Sequence, residues 1–234
     1  MHSSAPAPRL EGKRILLGVA GGIAAYKACD LASRLIKEKA QVTAVLTESA
    51  QEFVTALTFE ALTGRPCLTQ SFKRIKANET PYPHIDPAVE ADLFLIAPAT
   101  ADLIARLAAG MADDLLSTLC LTARCPLILC PAMNVQMWEH PATQRNVRIV
   151  GGFGYRLLGP DAGALACGMT GSGRMVEPHE IIEVAVKAVH EPKHAPAHSK
   201  MPMLASTGKS PAGAKGLSSR KVRRTRRRPP KAAE

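Results

Sequence analysis

Arg14-Ile15-Leu16-Leu17-Gly18-Val19-Ala20-Gly21-Gly22-Ile23-Ala24-Ala25-Tyr26-Lys27 reads as a strand, a turn and the start of a helix. Within residues 14–19, Ile15 to Val19 form a short apolar run, the pattern of a strand buried on both faces. The paired glycines permit a tight turn and close backbone approach. Ile23, Leu31, Leu35 and Ile36 are then spaced for an amphipathic helix reaching about Lys37. A strand, a Gly-rich turn and a helix N-terminus in succession make an anion site, because free N–H groups and the helix dipole face the same point. The stretch is neither G-x-G-x-x-G nor a P-loop, and a plain strand-to-helix turn has the same appearance.

The same alternation continues outward. Gln41–Leu46 is a second strand, and Thr47-Glu48-Ser49 follows it with hydroxyls able to cap a helix or touch a ligand. Residues 50–62 read as a helix stopped by Gly64 and Pro66. Residues 65–83 are irregular and end in the extended Pro81-Tyr82-Pro83, with His84 directly after it. Asp92–Ala97 is a third strand. Pro98-Ala99-Thr100-Ala101-Asp102 is its carboxyl-end loop, with side chains small enough to admit a flat ligand. A helix from Leu103 to Ala109 closes at Gly110, and Asp113 and Asp114 suit the N-terminus of the next. Pro126–Cys130 is another buried strand, and Pro131, lacking an N–H, ends its ladder. Ala132, Met133, Asn134, Met137 and Trp138 therefore lie just past the carboxyl end of a central strand, where open α/β sheets bind ligands. Such a site has an apolar wall and one amide able to fix a carboxylate or carbonyl. Asn134 is equally well placed to cap the next helix. Residues 148–150 and 155–158 read as short late strands, and Glu180–Val189 as a closing helix. Together the pattern predicts a single α/β domain built on a doubly wound parallel sheet.

Gly163–Met175 is glycine-rich, apolar at intervals and charged only at Arg174. The composition suggests a flap that orders over a ligand, or a connector with an incidental thiol at Cys167. The net charge of +10 is not a property of the domain: residues 1–192 hold 18 Lys and Arg against 19 Asp and Glu, whereas residues 193–234 hold 12 against one. That predicts three parts: a disordered N-terminus over 1–11, a domain over 12–190, and a disordered basic tail over 191–234. The tail is a candidate for nonspecific attraction to polyanions, without the aromatics that base stacking needs. The N-terminal residues are polar and Pro-rich with no apolar signal region, and no run approaches the roughly 20 residues of a membrane span. A cytoplasmic protein with reduced thiols is the expectation. The spacing of Cys120, Cys125 and Cys130 matches no zinc motif, so no metal is expected.

Five stretches now stand in a familiar order: Gly21-Gly22-Ile23-Ala24-Ala25-Tyr26-Lys27; His84; Ala97-Pro98-Ala99-Thr100-Ala101-Asp102; Pro131-Ala132-Met133-Asn134 with Met137-Trp138; and the segment around Cys167. Over about residues 12–190 the chain resembles the homo-oligomeric flavin-containing cysteine decarboxylases. P-x-M-N-x-x-M-W is the most specific of the five signals. The resemblance implies a Rossmann-like (flavodoxin-like) sheet in a homo-oligomer, usually a trimer, with FMN at the interface between protomers. Two departures stand out. The family usually has Asn where Asp102 stands, and often Leu where Pro87 stands, three residues after the retained His84.

The chemistry implied by the resemblance is FMN-dependent decarboxylation of 4′-phosphopantothenoylcysteine to 4′-phosphopantetheine, within coenzyme A biosynthesis. The cysteinyl thiol is first oxidised to a thioaldehyde, which makes loss of CO2 possible by giving the carbanion an electron sink. The resulting enethiolate is then reduced. By motif matching, His84 is the base or electrostatic partner near the thiol, Cys167 donates the last proton, and Asn134 holds the substrate carboxylate beside Met133 and Ala132. Gly22, Ile23, Thr47, Ala97, Thr100, Ala101 and Asp102 are implied FMN contacts, with Phe53 covering the flavin from a neighbouring protomer. The ligase that joins cysteine to phosphopantothenate is expected on a separate chain, because residues 191–234 cannot hold one. Two alternatives compete. One is a peptidyl-cysteine decarboxylase of the same family, which would have no use for Cys167. The other is a non-catalytic FMN-binding regulatory subunit, against which His84, Asn134 and Cys167 all weigh.

Overall fold

The structure is a computed structural model and describes residues 8–69, 85–164, 168 and 170–191. His84 and Cys167 lie outside the described residues, as do residues 1–7 and the basic segment from residue 192 onward.

Five strands form one parallel sheet: β1 (Arg14–Val19), β2 (Gln41–Leu46), β3 (Leu93–Ala99), β4 (Leu127–Pro131) and β5 (Arg156–Leu157). Their order is β2-β1-β3-β4-β5. All seven residues of β3 and all five of β4 are buried, as a sheet covered on both faces requires. The covering helices are α1 (Ala25–Lys37), α2 (Ala56–Thr63), α3 (Asp86–Glu90), α4 (Ala101–Ala109), α5 (Leu115–Thr122), α6 (Val135–Glu139), α7 (Pro141–Gly152) and α8 (Pro178–Ala188). One core joins Leu31 and Leu35 of α1 with Ile181 and Ala185 of α8 against Ile15, Leu17 and Leu95. The other joins Leu103 and Leu107 of α4 with Leu116 and Leu119 of α5 against Leu16, Phe94 and Leu129. The sheet is therefore doubly wound, as the alternating pattern predicts. The chain leaves β1 toward β2 and leaves β2 toward β3, on opposite sides of β1. The loops after β1 and β3 consequently part, and the crevice between them is the ligand position of such a sheet.

Several elements differ from the sequence reading. Residues 148–150 are helical, not a strand: Thr143, Asn146 and Val150 form the buried face of α7, so the Ile149-Val150 pair belongs to a helical repeat. Pro98 and Ala99 extend β3 beyond its expected end, with a register shift against β4 between Ile96 and Ala99. Pro131 still pairs with Ala99 across that shift rather than lying outside the ladder. Residues 50–62 are not one helix: a single 3-10 turn at Ser49–Glu52 precedes α2, which Thr55 caps through the N–H of Thr58. The flap is anchored in an antiparallel hairpin, β6 (Asp161–Ala164) with β7 (Thr170–Arg174). At the other end the folded part starts before residue 12. Leu10 is fully buried, and Arg9 pairs with Glu38 at 2.6 Å and with Glu183 at 2.7 Å, clasping α1 to α8. Among the described residues no helix is long and apolar enough to cross a membrane.

Candidate active site

At the carboxyl end of β1 the chain must turn sharply beside the turn that follows β2. A Cβ on Gly21 would lie 2.4 Å from Ser49 Oγ and 2.6 Å from its carbonyl carbon, so only glycine fits. Gly22 is not under that pressure; its nearest neighbour would be Thr100 Cγ2 at 3.7 Å. The helix that follows begins at Ala25 with Ala24 as N-cap and no side-chain cap; the N–H groups of Ala25 and Lys27 bond the carbonyls of Gly22 and Ala24 at 2.9 and 3.0 Å, and the helix dipole still favours an anion at this end. At the end of β3, Thr100 caps α4 by accepting from the N–H of Leu103 at 3.3 Å. That bond sets the direction of Ala101 and Asp102. At the end of β4, Asn134 caps α6: its Oδ1 accepts from the N–H of Gln136 at 2.8 Å.

These three loops and the hairpin enclose one cleft of about 1010 Å3. The loop after β1 contributes Gly21, Gly22, Ile23 and Ala24. That after β3 contributes Pro98, Thr100, Ala101 and Asp102, and that after β4 contributes Ala132, Met133, Asn134 and Met137. Met133 donates its N–H to the carbonyl of Gly173 at 2.9 Å, tying the Asn134 loop to β7. Gly171 of β7 packs so close to α6 that a Cβ there would lie 2.6 Å from Val135 Cγ2. Ile23, 62% exposed, and Met137, 49% exposed, give the mouth an apolar lining open to solvent.

Of the residues singled out from sequence, Gly22, Ile23, Thr100, Ala101, Asp102, Ala132, Met133 and Asn134 all line this cleft. Three cofactor candidates do not. Ala97 is fully buried in the core on the α1 and α8 side of the sheet, because the two-residue period of β3 turns its side chain inward. The Thr47 hydroxyl is taken by its own turn, accepting from the N–H of Ala50 at 3.1 Å and meeting Ser49 Oγ at 3.1 Å. Ser49 lines the cleft in its place. Phe53 is half exposed and stands away from the cleft of its own chain. Trp138 is half-buried and outside the lining as well, its carbonyl held by Gln144.

Asp102, the departure from the family pattern, is held by a cation. Arg106 Nε donates to its carboxylate at 2.9 Å and Nη1 to Asp113 at 2.5 Å. The helical spacing of four residues makes the first contact. An ionised Asp in this position thus comes with its own counter-ion.

Sequence reasoning did not identify a charged group at the β7 side. Lys27 is only 12% exposed and donates from Nζ to Glu177 at 2.8 Å and to the Met175 carbonyl at 3.3 Å. The Glu177 carboxyl lies below the usual carboxylate range, chiefly through that Lys27 hydrogen bond. Arg174 reaches the same carboxylate oxygen at 3.4 Å. Lys27 stood inside the quoted glycine motif and Arg174 was the lone charge of the flap, but their meeting depends on α1 packing beside α8.

A family model described as Flavoprotein matches residues 3–190. The coenzyme A biosynthesis bifunctional protein CoaBC of Bacillus subtilis is 46% identical over 191 residues, which is 82% of this chain and 47% of the relative. CoaBC of Vibrio cholerae is 50% identical over 173 residues, 74% of this chain and 43% of the relative. The chain spans about half the length of the curated relatives it matches. Among solved structures, a cysteine-to-serine mutant of PPC decarboxylase complexed with pantothenoylaminoethenethiol superposes with a TM-score of 0.65 at 30% identity, covering 75% of this chain and 97% of that one. The FMN-dependent cysteine decarboxylase SpaF superposes at 0.66 with 29% identity, covering 76% and 98%.

Proposed function

This chain belongs to the flavoprotein family, and from that premise we propose that it decarboxylates 4′-phosphopantothenoylcysteine to 4′-phosphopantetheine with FMN as cofactor. One observation carries the reading. The glycine turn after β1 and the Ala132-Met133-Asn134 loop after β4 line one cleft at the switch point of the sheet. The residues present fit FMN. The Gly21-Gly22 turn, the Ser49 hydroxyl and the uncapped start of α1 suit a phosphate. Ile23, Met133 and Met137 suit the faces of a flat ring. When bound, FMN supplies a two-electron acceptor and donor, so the oxidation that permits loss of CO2 is reversed within one turnover.

The chain's own groups do the rest. Asn134 offers a neutral amide to the substrate carboxylate, orienting it without stabilising it so far that CO2 is held back. Its bond to Gln136 fixes the amide in place. His84 accepts the thiol proton as the cysteinyl side chain is oxidised. Cys167 gives a proton to the enethiolate carbon as the product is completed. Met133 and Ala132 wall off the site from water. The apolar mouth formed by Ile23, Tyr26 and Met137 is covered by a neighbouring copy of the chain in a homo-oligomer, a trimer, with Phe53 lying over the partner's flavin. The ligase step that makes the substrate lies outside residues 3–190, and the protein works in the cytoplasm.

Cysteine decarboxylation can also stop at the unsaturated thiol, as on a peptide C-terminus. Cys167→Ser separates the two outcomes, because an alcohol is a far weaker acid than a thiol. The variant should release CO2, remain with a bleached flavin band and accumulate the enethiol, while the unaltered protein yields phosphopantetheine. The matched mutant structure, which holds pantothenoylaminoethenethiol, supports such an arrest. Normal phosphopantetheine at the normal rate from Cys167→Ser would contradict the assignment.

A further inference from the structure

The charged group at the β7 side of the cleft has more cation than anion. Glu177 Oε1 is shared by Lys27 Nζ at 2.8 Å and Arg174 Nη2 at 3.4 Å. Lys27 makes the shorter contact and also donates to the Met175 carbonyl, so it is the principal partner of Glu177. Among the described residues Arg174 has no ion pair other than the long one to Glu177. Asp161 is its register partner on β6 but does not pair with it. Arg174 Nε is buried and has no hydrogen-bond partner among the described residues. Its guanidinium lies along Gly163, where a Cβ would come 3.5 Å from Nη1. An unpaired buried N–H is costly, and a planar guanidinium is the side chain best suited to two oxygens of one phosphate.

We infer that Arg174 is a specificity residue that holds the phosphate of the substrate. This rests on the substrate reading given above. The cofactor's phosphate is provided for elsewhere, at Gly21, Gly22 and Ser49. Arg174 instead follows Gly173, whose carbonyl receives the N–H of Met133, so it flanks the loop that carries Asn134. The carboxylate of the cysteinyl end falls to Asn134. The Arg174 side chain is 42% exposed, and a substrate phosphate meeting the open edge of its guanidinium satisfies the spare charge. A peptide C-terminus, with no phosphate, does not.

The test compares the FMN-loaded protein with its Arg174→Gln variant, measuring flavin content and binding of three ligands: phosphopantothenoylcysteine, 4′-phosphopantetheine and pantetheine. Flavin content should be unchanged. Dissociation constants for both phosphorylated ligands should rise about ten- to hundred-fold, as for loss of a hydrogen bond to a charged group. Pantetheine binding should not move, and Arg174→Lys should recover part of the loss. An equal loss on all three ligands would make Arg174 merely structural. A loss confined to phosphopantothenoylcysteine would assign it to the carboxylate, and a loss of flavin to the cofactor; each overturns the inference. Absence of CO2 release by the unaltered protein would instead overturn the reading on which it rests.

Discussion

At Gly21 a methyl group would meet Ser49 within 2.6 Å at both side chain and backbone, whereas at Gly22 it would meet only Thr100 at 3.7 Å. Gly21→Ala should therefore lower stability by about 1–3 kcal/mol through overpacking, and the protein should be purified with less flavin per chain. Gly22→Ala should leave the melting temperature nearly unchanged. Absorbance of the flavin band per chain and thermal melting distinguish the two, and equal behaviour would remove the close approach from the account. Asn134 carries two roles that a single substitution separates. Asp caps a helix as well as Asn, so Asn134→Asp should leave stability nearly unchanged. A carboxylate placed against the substrate's own carboxylate should still raise KM sharply by like-charge repulsion. Titration by substrate with a parallel melting curve checks this; unaltered KM would take Asn134 out of the substrate site. Thr47 and Ser49 show what sequence alone leaves undecided at this scale. Both carry a hydroxyl in the same turn, and only the backbone path decides that Thr47 caps Ala50 while Ser49 faces the cleft.

Elements bring together residues that no local pattern connects. Lys27 opens α1 and Glu177 is the N-cap of α8, and their contact ties the cleft floor to the hairpin. The Glu177 carboxyl is held below its ordinary pKa of 4.5 by Lys27. A depressed folded-state pKa means stabilisation that is present above the unfolded value and lost as pH falls through the folded one. The cost of Glu177→Gln in urea unfolding should thus be complete at pH 7 and vanish well below pH 4.5; a cost independent of pH would show that packing, not charge, is responsible. The strands β1, β3 and β4 were legible because a short apolar run has few other uses in a chain of this length, and β2 because Val42, Ala44, Val45 and Leu46 leave only Gln41 and Thr43 polar. α7 was not, because Ile149 and Val150 imitate a strand locally. The helix is fixed by the cap at His140, by Pro141 at its first position and by Thr143 and Asn146 buried one turn apart. The flap read as little more than glycine, since the β6–β7 ladder depends on backbone pairing that side chains do not announce.

For the whole molecule, the excess of positive charge lies in residues 193–234. Residues 193–234 contain two Leu, two Met and one Val, no Ile or aromatic, and 12 basic residues. Arg156 pairs with Glu191, so the fold uses the chain as far as that residue. Ending the chain after Glu191 should leave flavin content and turnover nearly unchanged; a colourless or aggregated product would place the basic segment within the fold. The central claim is tested most directly by incubating the purified yellow protein with phosphopantothenoylcysteine and following substrate and product by mass. The account predicts conversion to phosphopantetheine, lighter by one CO2, with the flavin band restored at the end of each turnover and no nicotinamide consumed. Unchanged substrate in the presence of bound flavin would contradict it.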